Sequence, residues 1–144
     1  VKIGIGADHR GYEAKEYLKT HLEKMGHSVR DFGTKSSSAY DYPDVAFPLA
    51  RAVSAAKLKR GILICGSGIG MSIAANKVRG AYAALCTNVK MAKMSRNHNN
   101  ANILCLGASF LSAGEMTKIV DVWLVENFEG GRHKRRFSKI KKGE

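Results

Sequence analysis

Gly61-Ile62-Leu63-Ile64-Cys65-Gly66-Ser67-Gly68-Ile69-Gly70-Met71-Ser72 decides the fold. Its apolar run ends in a cysteine and passes at once into a turn of alternating glycines. The following segment, Ile69 to Lys77, has helical character. A strand apolar throughout is buried on both faces, as in a parallel sheet covered by helices. Glycines let a backbone bend sharply and bring its N–H groups close to a ligand. A helix start adds unpaired N–H groups and the positive end of a dipole. The stretch therefore reads as strand, anion-cradling loop and helix N-terminus, with the Cys65 thiol at its mouth. Thiols in such settings can be more acidic than a free cysteine. By itself the turn is also compatible with a plain tight strand-to-helix connection, and Cys65 with a small buried hydrophobe.

The same alternation extends in both directions. Lys2 to Gly6 reads as a first strand followed by the loop Ala7-Asp8-His9-Arg10-Gly11. Ala14, Leu18, Leu22 and Met25 mark one helix face, stopped by Gly26. His27 to Phe32 alternates as a second strand, and Gly33 to Tyr42 is polar loop. Pro43 opens the next helix, with a stripe of Val45, Leu49, Ala52, Val53 and Ala56; Pro48 should kink it or delay its start. After the third strand and helix come a fourth strand, Ala81 to Cys86, a short helix, Val89 to Arg96, and a fifth strand, Asn102 to Leu106. Met116, Ile119, Val120, Trp123 and Leu124 form the strongest helical stripe. Strands alternating with amphipathic helices predict an α/β fold: a Rossmann-like three-layer α/β/α sandwich on a five-stranded parallel sheet. Ligands of such sheets bind at the carboxyl ends of the strands. Asp8-His9, Cys65 to Gly70 and the Asn-rich segment around His98 all fall at or near those ends.

The 144 residues fit one domain, 1–144, with a basic C-terminal segment over 131–144. No apolar run approaches the ~20 residues of a membrane span, and the glycine-rich start does not read as a signal peptide. The expectation is a cytoplasmic protein with no membrane partner. Cys65, Cys86 and Cys105 are odd in number and lie in or at the ends of apolar runs, against a disulfide framework. Cys86 and Cys105 read as buried small hydrophobes. No cysteine or histidine spacing suggests a metal site.

The formal net charge of +12 is concentrated in the tail, at Arg132, Lys134, Arg135, Arg136, Lys139, Lys141 and Lys142. Such a run could meet nucleic acid. Only Phe137 interleaves it and no nucleic-acid fold signature accompanies it, so the expectation is no nucleic-acid partner. Arg132 and Arg136, four apart, would share a helix face suited to phosphate; two solvated arginines are the plain alternative. Asp8-His9 is either an acid/base pair, a ligand grip or, for Asp8, a cap of the next helix. His21 and His27 read as surface residues, and His133 as solvated in the tail.

Several motifs agree on one resemblance. Gly6-Ala7-Asp8-His9-Arg10-Gly11, Asp41-Tyr42-Pro43, Gly61 to Gly70, Ala74-Ala75-Asn76-Lys77, Ser95-Arg96-Asn97-His98-Asn99 and Phe128-Glu129-Gly130-Gly131-Arg132-His133 resemble ribose-5-phosphate isomerase type B nearly end to end. That family also contains the galactose-6-phosphate isomerase subunits. The resemblance implies an aldose–ketose isomerase, without cofactor or metal, that interconverts ribose 5-phosphate and ribulose 5-phosphate through a cis-enediolate, a pentose phosphate pathway reaction. It implies a homodimer with active sites across the subunit interface; pairing into tetramers is left open. Carried over, Cys65 resembles the base between C1 and C2, and His98 the group that opens the furanose ring. Gly66, Ser67, Gly68, Ile69 and Gly70 resemble the anion hole, with Ser67 near the reacting oxygens. Asp8, His9 and Asn99 resemble sugar or phosphate ligands, and Arg132 and Arg136 phosphate ligands. Ser109 departs from the pattern, since members often carry arginine there. Six-carbon substrates, galactose 6-phosphate or allose 6-phosphate, stand as the alternative. Cys65 and His98 in one chain favour a self-sufficient homodimer over half of a heteromeric enzyme.

Overall fold

Alternate residues of the central strand serve two separate cores. In β3 (Arg60–Cys65), Ile62 and Ile64 join one apolar cluster while Leu63 and Cys65 join the other. β5 (Ile103–Gly107) divides likewise, Leu104 and Leu106 against Ile103 and Cys105. This is why both strands read as unbroken apolar runs: each has helices on both sides. The structure, a computed structural model, describes residues 2–144. The sheet also contains β1 (Lys2–Ala7), β2 (Ser28–Asp31) and β4 (Ala83–Leu85). All pairings are parallel, in the order β2-β1-β3-β5-β4, which is the expected three-layer sandwich.

Helices α1 (Tyr12–Lys24) and α5 (Ala113–Val125) supply Leu18, Leu22, Met116, Ile119, Val120 and Trp123 to the first core. Trp123 is fully buried; truncating such a side chain costs roughly 3–5 kcal/mol. α4 (Val89–Asn97) packs beside α5. On the other face, α2 (Pro43–Ser54) and α3 (Ile69–Asn76) supply Val45, Leu49, Val53, Met71 and Ala74. α2 lies close against the sheet because glycines face it. A Cβ at Gly6 would stand 2.4 Å from Val45 Cγ1, and one at Gly61 2.4 Å from Leu49 Cδ2. Among the described residues no helix is long and apolar enough to cross a membrane.

Several element ends differ from the sequence reading. Met25 lies beyond the end of α1 and is exposed, and Ala56 lies past α2 in a left-handed turn. α2 runs through Pro48 from Pro43 onward. β2 is a short, largely exposed edge rather than a six-residue alternating strand. β4 shrinks to three residues because Tyr82 is taken up by Asn102, which accepts its N–H at 2.7 Å. His21 is half-buried and bonded to Asp121 at 2.7 Å, tying α1 to α5. The basic tail is not a loose terminus: it forms α6 (Arg132–Lys142), held by Phe137 against Tyr82 and Phe128.

Candidate active site

Strand order reverses between β1 and β3, and two of the candidate residues, Asp8 and Cys65, meet there. The next strand after β1 in sequence pairs on one side of it, while β3 pairs on the other. The loops at their carboxyl ends diverge there and leave a crevice, the usual ligand site of an open parallel sheet. Register sets Ala7 opposite Ile64, so Asp8 and Cys65 follow as neighbours, joined by the Asp8 N–H to Ile64 carbonyl bond of 3.2 Å. A cavity of about 670 Å³ opens above them.

Cys65 is buried, 5% exposed, at the floor of this cavity. The N–H of Gly68 donates to its Sγ at 3.1 Å. Gly68 can turn that N–H back because it stands at φ +80, a left-handed conformation that leads directly into α3. The Ser67 hydroxyl accepts the N–H of Ile69, the first residue of α3, at 3.2 Å. The N–H groups of Ser67 and Gly70 have no partner among the described residues, as expected for groups ahead of the first closed helical turn. They are free to meet negative charge. Gly66, Ser67, Ile69 and Gly70 all line the cavity; Gly68 lies beneath, against the Leu106 carbonyl.

Asp8 does two of the things its sequence allowed. One carboxylate oxygen accepts the N–H groups of Arg10, at 2.9 Å, and Gly11, at 3.1 Å, shaping the entry to α1. The buried carboxylate also lines the cavity. His9 turns to the loop after β2, where its Nδ1 accepts the Tyr40 N–H at 3.2 Å, and it does not line the cavity. Cys86 and Cys105 are buried away from it, and burial pushes both thiols up, Cys105 most strongly. They are packing residues.

The remaining expected residues form a second, separate cleft. His98, Asn99, His133, Arg136, Phe137 and Ile140 line a cavity of about 230 Å³ between the end of α4 and α6. The polar run before β5 explains its position. Arg96 donates to the Ala101 carbonyl at 2.6 Å and to Glu126, while Asn97 grips Glu126 and the Asn127 carbonyl at 2.8 Å. This clamp holds the 126–131 loop, and with it α6, beside His98. His133 is therefore not solvated as its basic surroundings suggested. It stacks on His98 with ring centres 4.2 Å apart and planes at 11°. Partial burial and the adjoining His98, more than nearby arginines, hold its pKa below the ordinary 6.5. Arg132 and Arg136 stand one helical turn apart on α6; only Arg136 lines the cleft.

Glu129 completes a trio with the two histidines, its Oε1 lying 3.9 Å from His98 Nε2 and 3.7 Å from His133 Nε2. These atoms lie within 4.8 Å of one another, a donor set with which a divalent ion could be held. The rings are stacked rather than converging, and Arg132 and Arg136 stand near His133, a setting better suited to an anion.

Four residues that line the cavity were not singled out from the sequence: the apolar Ile73 and Phe110, and Tyr42 and Arg10. Tyr42 covers the start of α3: a Cβ at Gly70 would stand 2.6 Å from its ring. Arg10 lies across Gly66. Their motifs were visible in the sequence, but nothing local shows that either side chain reaches the thiol loop.

Fold and site define a class: a Rossmann-like α/β protein whose switch point carries a thiol beside a glycine-rich loop with unpartnered N–H groups. The description Ribose/Galactose Isomerase matches residues 3–140, and the chain belongs to that family. Ribose-5-phosphate isomerase B of Escherichia coli is 43% identical over 139 residues, 96% of this chain and 93% of the relative. A probable ribose-5-phosphate isomerase B of Mycoplasma genitalium is 47% identical over 140 residues, 96% and 92% of the two chains. Among solved structures, Clostridium thermocellum ribose-5-phosphate isomerase B superposes with a TM-score of 0.97 at 51% identity, covering 99% and 96%. The Mycoplasma genitalium enzyme with bound ribulose-5-phosphate superposes at 0.95 with 44% identity, covering 99% and 95%.

Proposed function

We propose that this chain is a ribose-5-phosphate isomerase in which Cys65 is the base. The observation that carries the reading is the Cys65 thiol set at the switch point, bonded to the Gly68 N–H of a loop whose Ser67 and Gly70 N–H groups have no partner among the described residues. Aldose–ketose isomerisation removes a proton from C2 and returns it at C1. The intermediate enediolate is an oxyanion that fixed N–H donors stabilise where its charge appears. A thiolate takes the proton at C2, and the resulting thiol gives a proton back at C1. The Ser67 and Gly70 N–H groups face the developing charge, and Asp8 holds a sugar hydroxyl. His98 opens the furanose ring, Asn99 beside it binds the substrate, and Arg132 and Arg136 hold the phosphate. No cofactor or metal enters these steps.

The working form is a homodimer. Its support is the division of one protomer's residues: Cys65, Ser67 and Asp8 line one cavity, His98, Asn99 and Arg136 another. Exposed Ile69, Ile73 and Phe110 flank the thiol cavity, an apolar rim suited to a second copy. A two-fold interface would set the thiol cavity of one protomer against the His98 cleft of its partner. The chain acts as one domain, and its three free cysteines suit the reducing cytoplasm.

The test follows ribose 5-phosphate in deuterated buffer. Ribulose 5-phosphate should form with deuterium entering at C1, and faster than any ketose from allose 6-phosphate or galactose 6-phosphate. Turnover confined to the six-carbon substrates would move the assignment to them, and no ketose from any of the three would overturn it.

A further inference from the structure

The thiol cavity is lined by one carboxylate, Asp8, and one cation, Arg10. Arg10 is exposed, but it is held over the cavity at two points. Its N–H is fixed by the Asp8 carboxylate at 2.9 Å, and its stem lies across Gly66. A Cβ at Gly66 would stand 3.0 Å from Arg10 Cδ, 3.4 Å from Arg10 Nη1 and 3.6 Å from Ser109 Oγ. The backbone under it is equally fixed, since the Ser109 N–H donates to the Gly66 carbonyl at 2.9 Å. Arg10 thus lies over the loop after β3, with Ser109 of the loop after β5 beside the same glycine. Among the described residues its guanidinium meets no carboxylate and no carbonyl. The five N–H donors of its planar fork, at the cavity lining, therefore have no partner among the described residues.

We propose that Arg10 grips the substrate phosphate from the thiol side of the site, as a binding and specificity residue of this chain. The inference rests on the isomerase reading. The reacting oxygens already have the N–H groups of the thiol loop. The phosphate is the remaining negative group of the substrate, and a guanidinium fork matches its oxygens in pairs. Arg136 of the same protomer lines the other cleft, so within the thiol cavity Arg10 supplies the positive charge alone. Ser109 leaves it room: a short hydroxyl beside Gly66 keeps the space through which the longer Arg10 side chain reaches.

Arg10→Gln and Arg10→Lys separate the possibilities. Losing a hydrogen-bonded charge contact of this type weakens binding by about 10-fold or more. Arg10→Gln should raise KM for ribose 5-phosphate by about that factor with kcat changed less than about two-fold. Arg10→Lys, which keeps charge but not the fork, should fall between. Calorimetric titration with inorganic phosphate reads the same contact without turnover, and should weaken about 10-fold in Arg10→Gln. Unchanged phosphate affinity would overturn the proposal whether or not the protein isomerises ribose 5-phosphate. So would a fall in kcat at constant KM, which would place Arg10 at the reacting carbons. Normal phosphate binding loss in a protein inactive on ribose 5-phosphate would uphold the Arg10 contact and refute the isomerase reading instead.

Discussion

Replacing Gly68 by alanine strikes the loop and the thiol together. The residue stands at φ +80, and an added Cβ would lie 2.6 Å from Leu85 Cδ1, 2.9 Å from the Leu106 carbonyl carbon and 3.1 Å from its oxygen. The Leu85 methyl can rotate away. The Leu106 carbonyl cannot, because it belongs to the fully buried strand β5. Left-handed backbone at a residue with a Cβ costs roughly 1–2 kcal/mol, and overpacking a tight site roughly 1–3 kcal/mol. The sum, roughly 2–5 kcal/mol, corresponds to a fall in Tm of about 6–15 °C for a domain of this size. Relief requires the loop to lift, which withdraws the Gly68 N–H from Cys65 Sγ and moves the free donors beside it. Losing one preorganised donor lowers kcat by about 100-fold or more. Thermal melting by circular dichroism and initial rates on ribose 5-phosphate read both effects. Gly114→Ala is the control: a Cβ there meets nothing within 4 Å, and the helix should be unchanged or slightly stabilised. A Gly68→Ala protein that melts and turns over like the original would refute the steric reasoning and the role given to the loop.

Other expectations follow from the two clefts and from the ion pairs of the sheet edge. Arg136→Ala should raise KM by about an order of magnitude, with Lys142→Ala nearly silent, because Arg136 lines the His98 cleft and Lys142 does not. Mixing Cys65→Ala with His98→Asn, each inactive alone, should restore roughly a quarter of the original rate after subunit exchange, since half the dimers would contain one intact composite site. Continued inactivity of the mixture would place both residues in the same protomer's site. The Lys15 ammonium, 1% exposed, reaches Asp31 at 2.7 Å and Glu16 at 2.8 Å. Burial pushes Asp31 up, but Lys15, the Gly33 N–H and Lys19 outweigh it and hold the carboxyl below 3.8. A lowered acid stabilises the fold above its ordinary value and loses that contribution as pH falls through the folded value. Acid unfolding should therefore steepen below pH 3.8 and flatten in Asp31→Asn.

How much of this was legible in the sequence depended on whether neighbours in space were neighbours in the chain. β3, its turn and α3 are contiguous and apolar on both faces, so fold and thiol loop could be read directly. β2 and β4 were misjudged in length because they are edge strands, paired on one side only and incompletely buried, so no unbroken apolar run marks their ends. α6 carries little apolar surface, and its place is decided by Phe137 against Tyr82, a contact no local pattern announces. The His133 stack on His98 depends in turn on the Arg96 and Asn97 clamp, so its partial burial was invisible among seven basic neighbours. Arg10 and Tyr42 belong to quoted motifs, yet their reach over Gly66 and Gly70 arises only when three loops converge at the switch point.

The most direct test of the account is the rate of ribose 5-phosphate isomerisation by the original protein, Cys65→Ala and Cys65→Ser, with circular dichroism to verify folding. The Cys65 side chain fills little volume, and its replacement should leave the melting curve nearly unaltered. The account predicts ribulose 5-phosphate from the original protein, none above background from Cys65→Ala, and severe impairment in Cys65→Ser, whose hydroxyl is far less acidic than a thiol. A folded Cys65→Ala protein that isomerises ribose 5-phosphate at the original rate would contradict it.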